Sequence, residues 1–135
     1  MRMSEPRYRT TSGSVSSLTY HLVWCVKYRR KVLIGSIEQR LKELITEKAN
    51  ELKCEIIALE VMSDHVHLCF AALPTDAPQH FANQFKGYTS RCLREEFPNL
   101  KSRLPSLWSR SYYVGSAGHV AAETIQRYLE DQKHA

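Results

Sequence analysis

No stretch of this 135-residue chain comes near the roughly 18 consecutive apolar residues that a membrane-spanning helix needs, which argues against a membrane role. The first 17 residues, MRMSEPRYRTTSGSVSS, lack the apolar centre of a secretory signal, so the expectation is a cytoplasmic protein that begins with a polar arm. Cys25, Cys54, Cys69 and Cys92 are far apart, and no CxxC pair suggests a zinc knuckle or a redox dithiol. Reduced thiols buried in a core are expected instead. Internal repeats and low-complexity segments are also missing, which excludes solenoids and leaves one globular domain over residues 18–135.

Charge is present and it is segregated. The net charge is +5, and residues 1–35 hold seven Lys or Arg against one acid, while residues 86–110 hold six against two. Between them, residues 36–85 carry four basic and eight acidic side chains. Two basic segments flanking an acidic one suit a polyanion, with nucleic acid the usual candidate, although a solvated basic surface has the same composition.

Residues 18–28, LTYHLVWCVKY, are aromatic and β-branched with partial alternation and predict a strand. Ser36 and Gln39 fit a capping box, and Ile37, Leu41, Leu44, Ile45, Ala49 and Leu52 recur at helical spacing, predicting a helix over 36–53. CEIIALEVM (54–62) and SDHVHLCFAA (63–72) read as an antiparallel hairpin. Thr75, Asp76 and Pro78 mark a second helix with Phe81, Phe85, Cys92 and Leu93 inward. PNLKSRLPSLW (98–108) reads as a loop, SYYVGSAG (111–118) begins as a short strand, and a terminal helix is expected from about residue 119. The order βαββαβ predicts an α+β fold: a ferredoxin-like or RNA-recognition-type antiparallel sheet with helices on one face, plus a C-terminal helix.

On a strand of period two, His65 and His67 share one face while Val66, Leu68 and Phe70 share the other. Two adjacent imidazoles on a rigid strand make a bidentate clamp for a divalent cation, and they serve equally well as a hydrogen-bonded surface pair. Tyr128 and Gln132 lie four residues apart on one face of the terminal helix, where Gln132 can offer an amide oxygen to a metal or simply meet solvent. Arg29, Arg30 and Lys31 leave the first strand, and Lys86, Arg91 and Arg94 line the second helix; both sets are candidates for phosphate. Tyr88, Trp108 and Tyr112 are candidates for stacking on unpaired bases, Trp108 being equally a core residue.

YHLVWCVKYRRKVL (20–33), SDHVHLCF (63–70), FKGYTSRCLREEFP (85–98), LWSRSYYVGSAG (107–118) and YLEDQ (128–132) together resemble the single-tyrosine HUH transposases of small bacterial insertion sequences. The resemblance spans residues 18–132 and rests on five segments in the right order, not on His-Val-His alone. It implies His65, His67 and Gln132 as ligands of Mg²⁺ or Mn²⁺, Tyr128 as a nucleophile forming a covalent 5′-phosphotyrosine, and Gly115 and Gly118 as a hinge before the tyrosine helix. It further implies single-stranded DNA with hairpins as substrate, and a homodimer whose active sites are shared between subunits. Three alternatives remain open: a domesticated repeat-associated tyrosine transposase, a non-catalytic RNA-recognition-type binding module, and a metal-dependent hydrolase that uses water and leaves Tyr128 dispensable.

Overall fold

The computed structural model describes residues 9–11, 14–116 and 122–132. Two three-residue strands, β1 (Arg9–Thr11) and β2 (Ser14–Ser16), pair with each other, so part of the expected polar arm is a small hairpin. The main sheet contains β3 (Leu18–Cys25), β4 (Glu55–Val61), β5 (His65–Ala72) and β6 (Tyr113–Ser116) in the order β4-β5-β3-β6, with every pair antiparallel. That order follows from the connections. Helix α1 (Gly35–Glu51) carries the chain from β3 to the sheet edge, and the short turn after Val61 folds β5 back beside β3. Helices α2 (Pro78–Glu96) and α3 (Pro98–Arg103) then return it to the far side of β3, where β6 pairs.

The sheet's two faces have different chemistry because alternation is strict along its central strands. Leu22 and Trp24 of β3 and Val66, Leu68 and Phe70 of β5 are fully buried against Leu41, Leu44 and Ile45 of α1 and Phe81, Phe85 and Leu93 of α2. Trp24 is fixed by rings on two sides, with Phe85 stacked at 6.5 Å and Trp108 edge-on at 5.8 Å. The opposite face carries Cys25 beside His65, Val23 beside His67 and His21 beside Cys69, each pair in cross-strand register. Helix α4 (Ala122–Asp131) lies on that face, packing Ile125, Tyr128 and Leu129 against Val23, Cys25 and Tyr113.

Three expectations need correction. The capping box at Ser36 is not made: α1 begins at Gly35, whose φ of 58° is one that glycine adopts without strain, and no side chain caps the helix. Residues 98–103 form helix α3, because Pro98 at its first position has no N–H to leave unsatisfied and Leu100 supplies a buried anchor. The first strand ends at Cys25 instead of continuing to 28, since Lys27–Arg29 turn in a short 3₁₀ segment. The start expected for the terminal helix, near residue 119, lies outside the described residues. Trp108 is 5% exposed and belongs to the core, so it is not free to stack on a base.

Candidate active site

His65 and His67 stand on the face away from α1 and α2, as the alternation required. His65 Nδ1 donates to Asp64 Oδ1 at 2.8 Å, which leaves Nε2 as the nitrogen with a lone pair to offer. His67 is held differently. Its Nε2 lies 2.8 Å from His21 Nδ1, one nitrogen donating and the other accepting, and its Nδ1 lies 3.7 Å from Glu60 Oε1. Burial, and next the neighbouring His21, hold the His67 imidazole below its usual range and keep it neutral. His21 was missed from the sequence; only its register opposite Cys69, one step along from His67, brings it to the pair.

Asp64 is the junction of a larger network. Arg29 donates to Asp64 Oδ2 from Nε at 3.0 Å and from Nη2 at 2.9 Å, and its Nη1 donates to the Leu129 carbonyl at 2.9 Å. Burial alone would raise the Asp64 pKa, but the bond from His65 and the Arg29 charge together hold the carboxyl below its ordinary value. Arg29 is thus engaged inside the protein, while Arg30 and Lys31, two of the other expected phosphate contacts, line a cleft of about 260 Å³ with Arg103.

Tyr128 and Gln132 meet at Ser111. The Tyr128 hydroxyl donates to the Ser111 carbonyl at 3.1 Å, and Ser111 Oγ donates to Gln132 Oε1 at 2.9 Å. Gln132 is 8% exposed, so its side chain is largely withdrawn from solvent. Burial, and next the Cys25 sulfur, hold the Tyr128 phenol well above its usual range. Cys25 in turn is the cross-strand neighbour of His65, so the phenol sits over the strand adjacent to the histidine pair.

Lys86, expected on the surface, is turned inward. Its Nζ donates to the carbonyls of Ser109, Arg110 and Ser111 at 2.8, 3.0 and 3.1 Å, and burial pushes its amine down to about 8. Arg91 lies over the Tyr88 ring at 5.6 Å, Arg94 donates to the Leu104 carbonyl, and the Lys86 ammonium stands 5.5 Å from the Tyr112 ring. Gly115 is inside β6, paired with His21, and Gly118 lies outside the described residues.

The buried thiols give a pH prediction. Burial raises Cys25 from 9.0 to about 11 and Cys54 from 9.0 to about 12, so the unfolded chain loses these protons first. Stability is therefore expected to fall as pH rises through 9 toward 11. Lys86 acts in the opposite sense between about 8 and 10.5, against the raised thiols and the raised phenols of Tyr88 and Tyr128. Urea midpoints across this range check the sign; a midpoint that climbs steadily would contradict it.

Among the described residues, no group of three or more His, Cys, Asp or Glu is arranged to hold a metal ion. Comparison with known proteins bears directly on what such a site does. The family model described as "Transposase IS200 like" matches residues 14–132. The chain belongs to the IS200-like transposase family. This transposase is 39% identical over 122 residues to the ISDra2 transposase TnpA of Deinococcus radiodurans, covering 89% of this chain and 87% of that one. It is 30% identical over 115 residues to the transposase of insertion sequence IS200 from Salmonella typhimurium, covering 84% of this chain and 75% of the relative. A crystal structure from Deinococcus radiodurans, provisionally assigned as a transposase, superposes with a TM-score of 0.82 at 36% identity, over 94% of this chain and 99% of the other. A REP-associated tyrosine transposase bound to a REP hairpin shares the fold, with a TM-score of 0.57 at 15% identity over 85% and 64% of the two chains. The transposase is accordingly a DNA-cleaving and rejoining enzyme with an α+β fold. No described helix is long and apolar enough to cross a membrane.

Proposed function

We propose that this transposase cuts and rejoins single-stranded DNA at the ends of an insertion sequence, with Tyr128 as nucleophile and His65, His67 and Gln132 as ligands of Mg²⁺ or Mn²⁺. One observation carries the reading: α4 sets Tyr128 on the same sheet face as the two imidazoles, one strand away. An RNA-recognition-type binding module has no need of that arrangement, and a hydrolase that uses water has no need of the phenol.

The donor set suits a divalent ion. Asp64 fixes His65 in the tautomer whose Nε2 can coordinate, the carboxylate–imidazole arrangement common behind metal-bound histidine. His67, whose imidazole is held below its usual range, and the Gln132 amide oxygen, which accepts from Ser111 Oγ, would be the other protein ligands. When bound, the ion supplies Lewis-acid polarisation of the phosphate and stabilises charge on the leaving 3′ oxygen. Tyr128 Oη gives up its proton and forms a bond to phosphorus as the bond to the 3′ oxygen breaks, leaving a 5′-phosphotyrosine and a free 3′-OH. The ester retains the bond energy, so a second 3′-OH displaces the phenol and reseals the strand without ATP.

Substrate binding falls to the cleft lined by Arg30, Lys31 and Arg103, with Val32, Ile34, Leu100 and Leu104 as apolar wall. Guanidinium and ammonium groups suit phosphates, and an apolar wall suits the face of an unpaired base. A protein of the same fold is bound to a REP hairpin, and a hairpin in the element's own DNA is the corresponding substrate here. The enzyme works as a homodimer. The docking patch for α4, formed by Val23, Cys25 and Tyr113, is the same in both copies and can receive either tyrosine helix, with Gly115 and Gly118 near the point of movement.

The test incubates the protein with Mn²⁺ and a 5′-labelled or 3′-labelled hairpin strand and resolves the products under denaturing conditions. A protein-linked fragment joined through its 5′ phosphate is expected, and His65→Ala should lose both this product and Mn²⁺ binding. Release of free 5′-phosphate with no protein-linked species would favour the water-using hydrolase instead.

A further inference from the structure

Arg29 joins two parts of the molecule that the reaction must bring together. Its side chain is 18% exposed and contacts Asp64 through two nitrogens, while the third nitrogen holds the Leu129 carbonyl, next in sequence to Tyr128. That carbonyl lies in the last turn of α4, where it also accepts from the Gln132 N–H at 3.2 Å and where the helix dipole favours a cation. On the other side, the second oxygen of Asp64 accepts from His65 Nδ1. The contacts form one unbroken chain: Leu129 carbonyl, Arg29, Asp64, His65.

The backbone beneath this chain is strained. Tyr28 and Arg29 both have left-handed φ, 59° and 52°, and neither is glycine. Such residues persist only where their surroundings over-determine the backbone. Here the Arg29 amide returns to the Val26 carbonyl at 2.7 Å, Val26 N–H donates to the Asp64 carbonyl at 3.0 Å, and Leu33 N–H donates to the Ser63 carbonyl at 2.9 Å. The loop is thus wrapped around the turn that precedes His65, and the strain aims one guanidinium at both acceptors.

We infer that Arg29 is a positioning residue that couples docking of the tyrosine helix to the orientation of His65, so that the metal clamp is fully formed only when a tyrosine helix is seated. The inference rests on the metal site proposed above. With α4 seated, Leu129 fixes Arg29, Arg29 fixes the Asp64 carboxylate, and Asp64 holds the proton on His65 Nδ1 and presents Nε2. With α4 gone, Arg29 loses one of its two anchors and the carboxylate loses its fixed partner. Seating the helix and binding the ion then favour each other, by the reciprocity that any such coupling obeys.

The experiment measures Mn²⁺ binding by electron paramagnetic resonance on the full chain without DNA. Arg29→Gln is expected to weaken Mn²⁺ about tenfold, the scale seen when a group behind a metal ligand is removed. Arg29→Lys, which keeps the charge but cannot reach both acceptors together, should fall between the two and guards against a folding defect. A phosphate-binding role for Arg29 would leave DNA-free affinity unchanged, and that result would overturn the inference. A second readout removes the direct link through Gln132. In Gln132→Ala, added Mn²⁺ should still slow hydrogen exchange of the α4 amides, and in Gln132→Ala/Arg29→Gln it should not. Equal slowing in both proteins would also overturn it. Should His65→Ala bind Mn²⁺ as tightly as the wild type, the metal site itself is refuted and the coupling falls with it.

Discussion

Tyr128→Phe is expected to abolish the protein-linked DNA product and to lower strand cleavage by on the order of 10³-fold or more, because a phenyl ring has no oxygen with which to form the ester. DNA binding and folding should be retained. The hydroxyl's hydrogen bond to the Ser111 carbonyl has a net contribution of about 0.5–1.5 kcal/mol. The ring itself keeps its place against Val23, Cys25 and Tyr113. A covalent adduct in the variant at the wild-type rate would eliminate Tyr128 as nucleophile. The phenol in its docked position is also a poor nucleophile, since burial holds its pKa well above the ordinary range. Wild-type cleavage is therefore expected to require the ion and the strand to be present together, with neither sufficient to ionise the phenol alone.

Phe70→Ala should be the most damaging single change to the fold, by about 3–5 kcal/mol, a large part of the roughly 5–15 kcal/mol that holds a domain of this size together. Phe70 is fully buried at the centre of the sheet, with ring centroids of Tyr20, Phe81 and Phe85 at 5.7, 5.4 and 5.5 Å. These neighbours come from β3 and α2, so the cavity cannot close by shifting one element. His67, on the same strand, depends on this anchorage for its aim, and cleavage should fall along with stability. A urea midpoint within experimental error of the wild type would show that the aromatic cluster is not the central anchor.

Much of the fold was legible in the sequence because its main elements obey simple periods. The HVHLCFAA strand alternates by two, so the imidazoles and the apolar trio separated onto opposite faces as expected. Helix α1 keeps its apolar positions at Leu41, Leu44, Ile45 and Ala49. Helix α3 was not legible, since two prolines in eleven residues read as loop punctuation when one of them in fact opens a helix. The site was legible only as residue types. That His65 and Tyr128 lie on one face depends on Cys25 pairing with His65, a contact across 40 residues that no local pattern encodes. The same distance effect hid the partners of two cations. Arg29 and Lys86 look like surface charges in a basic run, yet Arg29 is claimed by a carboxylate and a carbonyl, and Lys86 by three carbonyls, that the fold delivers from remote segments.

Lys86 gathers three successive carbonyls, and one of them, that of Ser111, is also where the Tyr128 hydroxyl rests. The lysine belongs to α2, in the body of the domain, and not to the helix that bears the tyrosine. In the proposed exchange of tyrosine helices, a departing α4 would leave its berth intact and an incoming copy would find it unchanged. The proposed strand exchange would ask for this economy: the travelling part would bring the reactive atom, and the stationary part would keep the address.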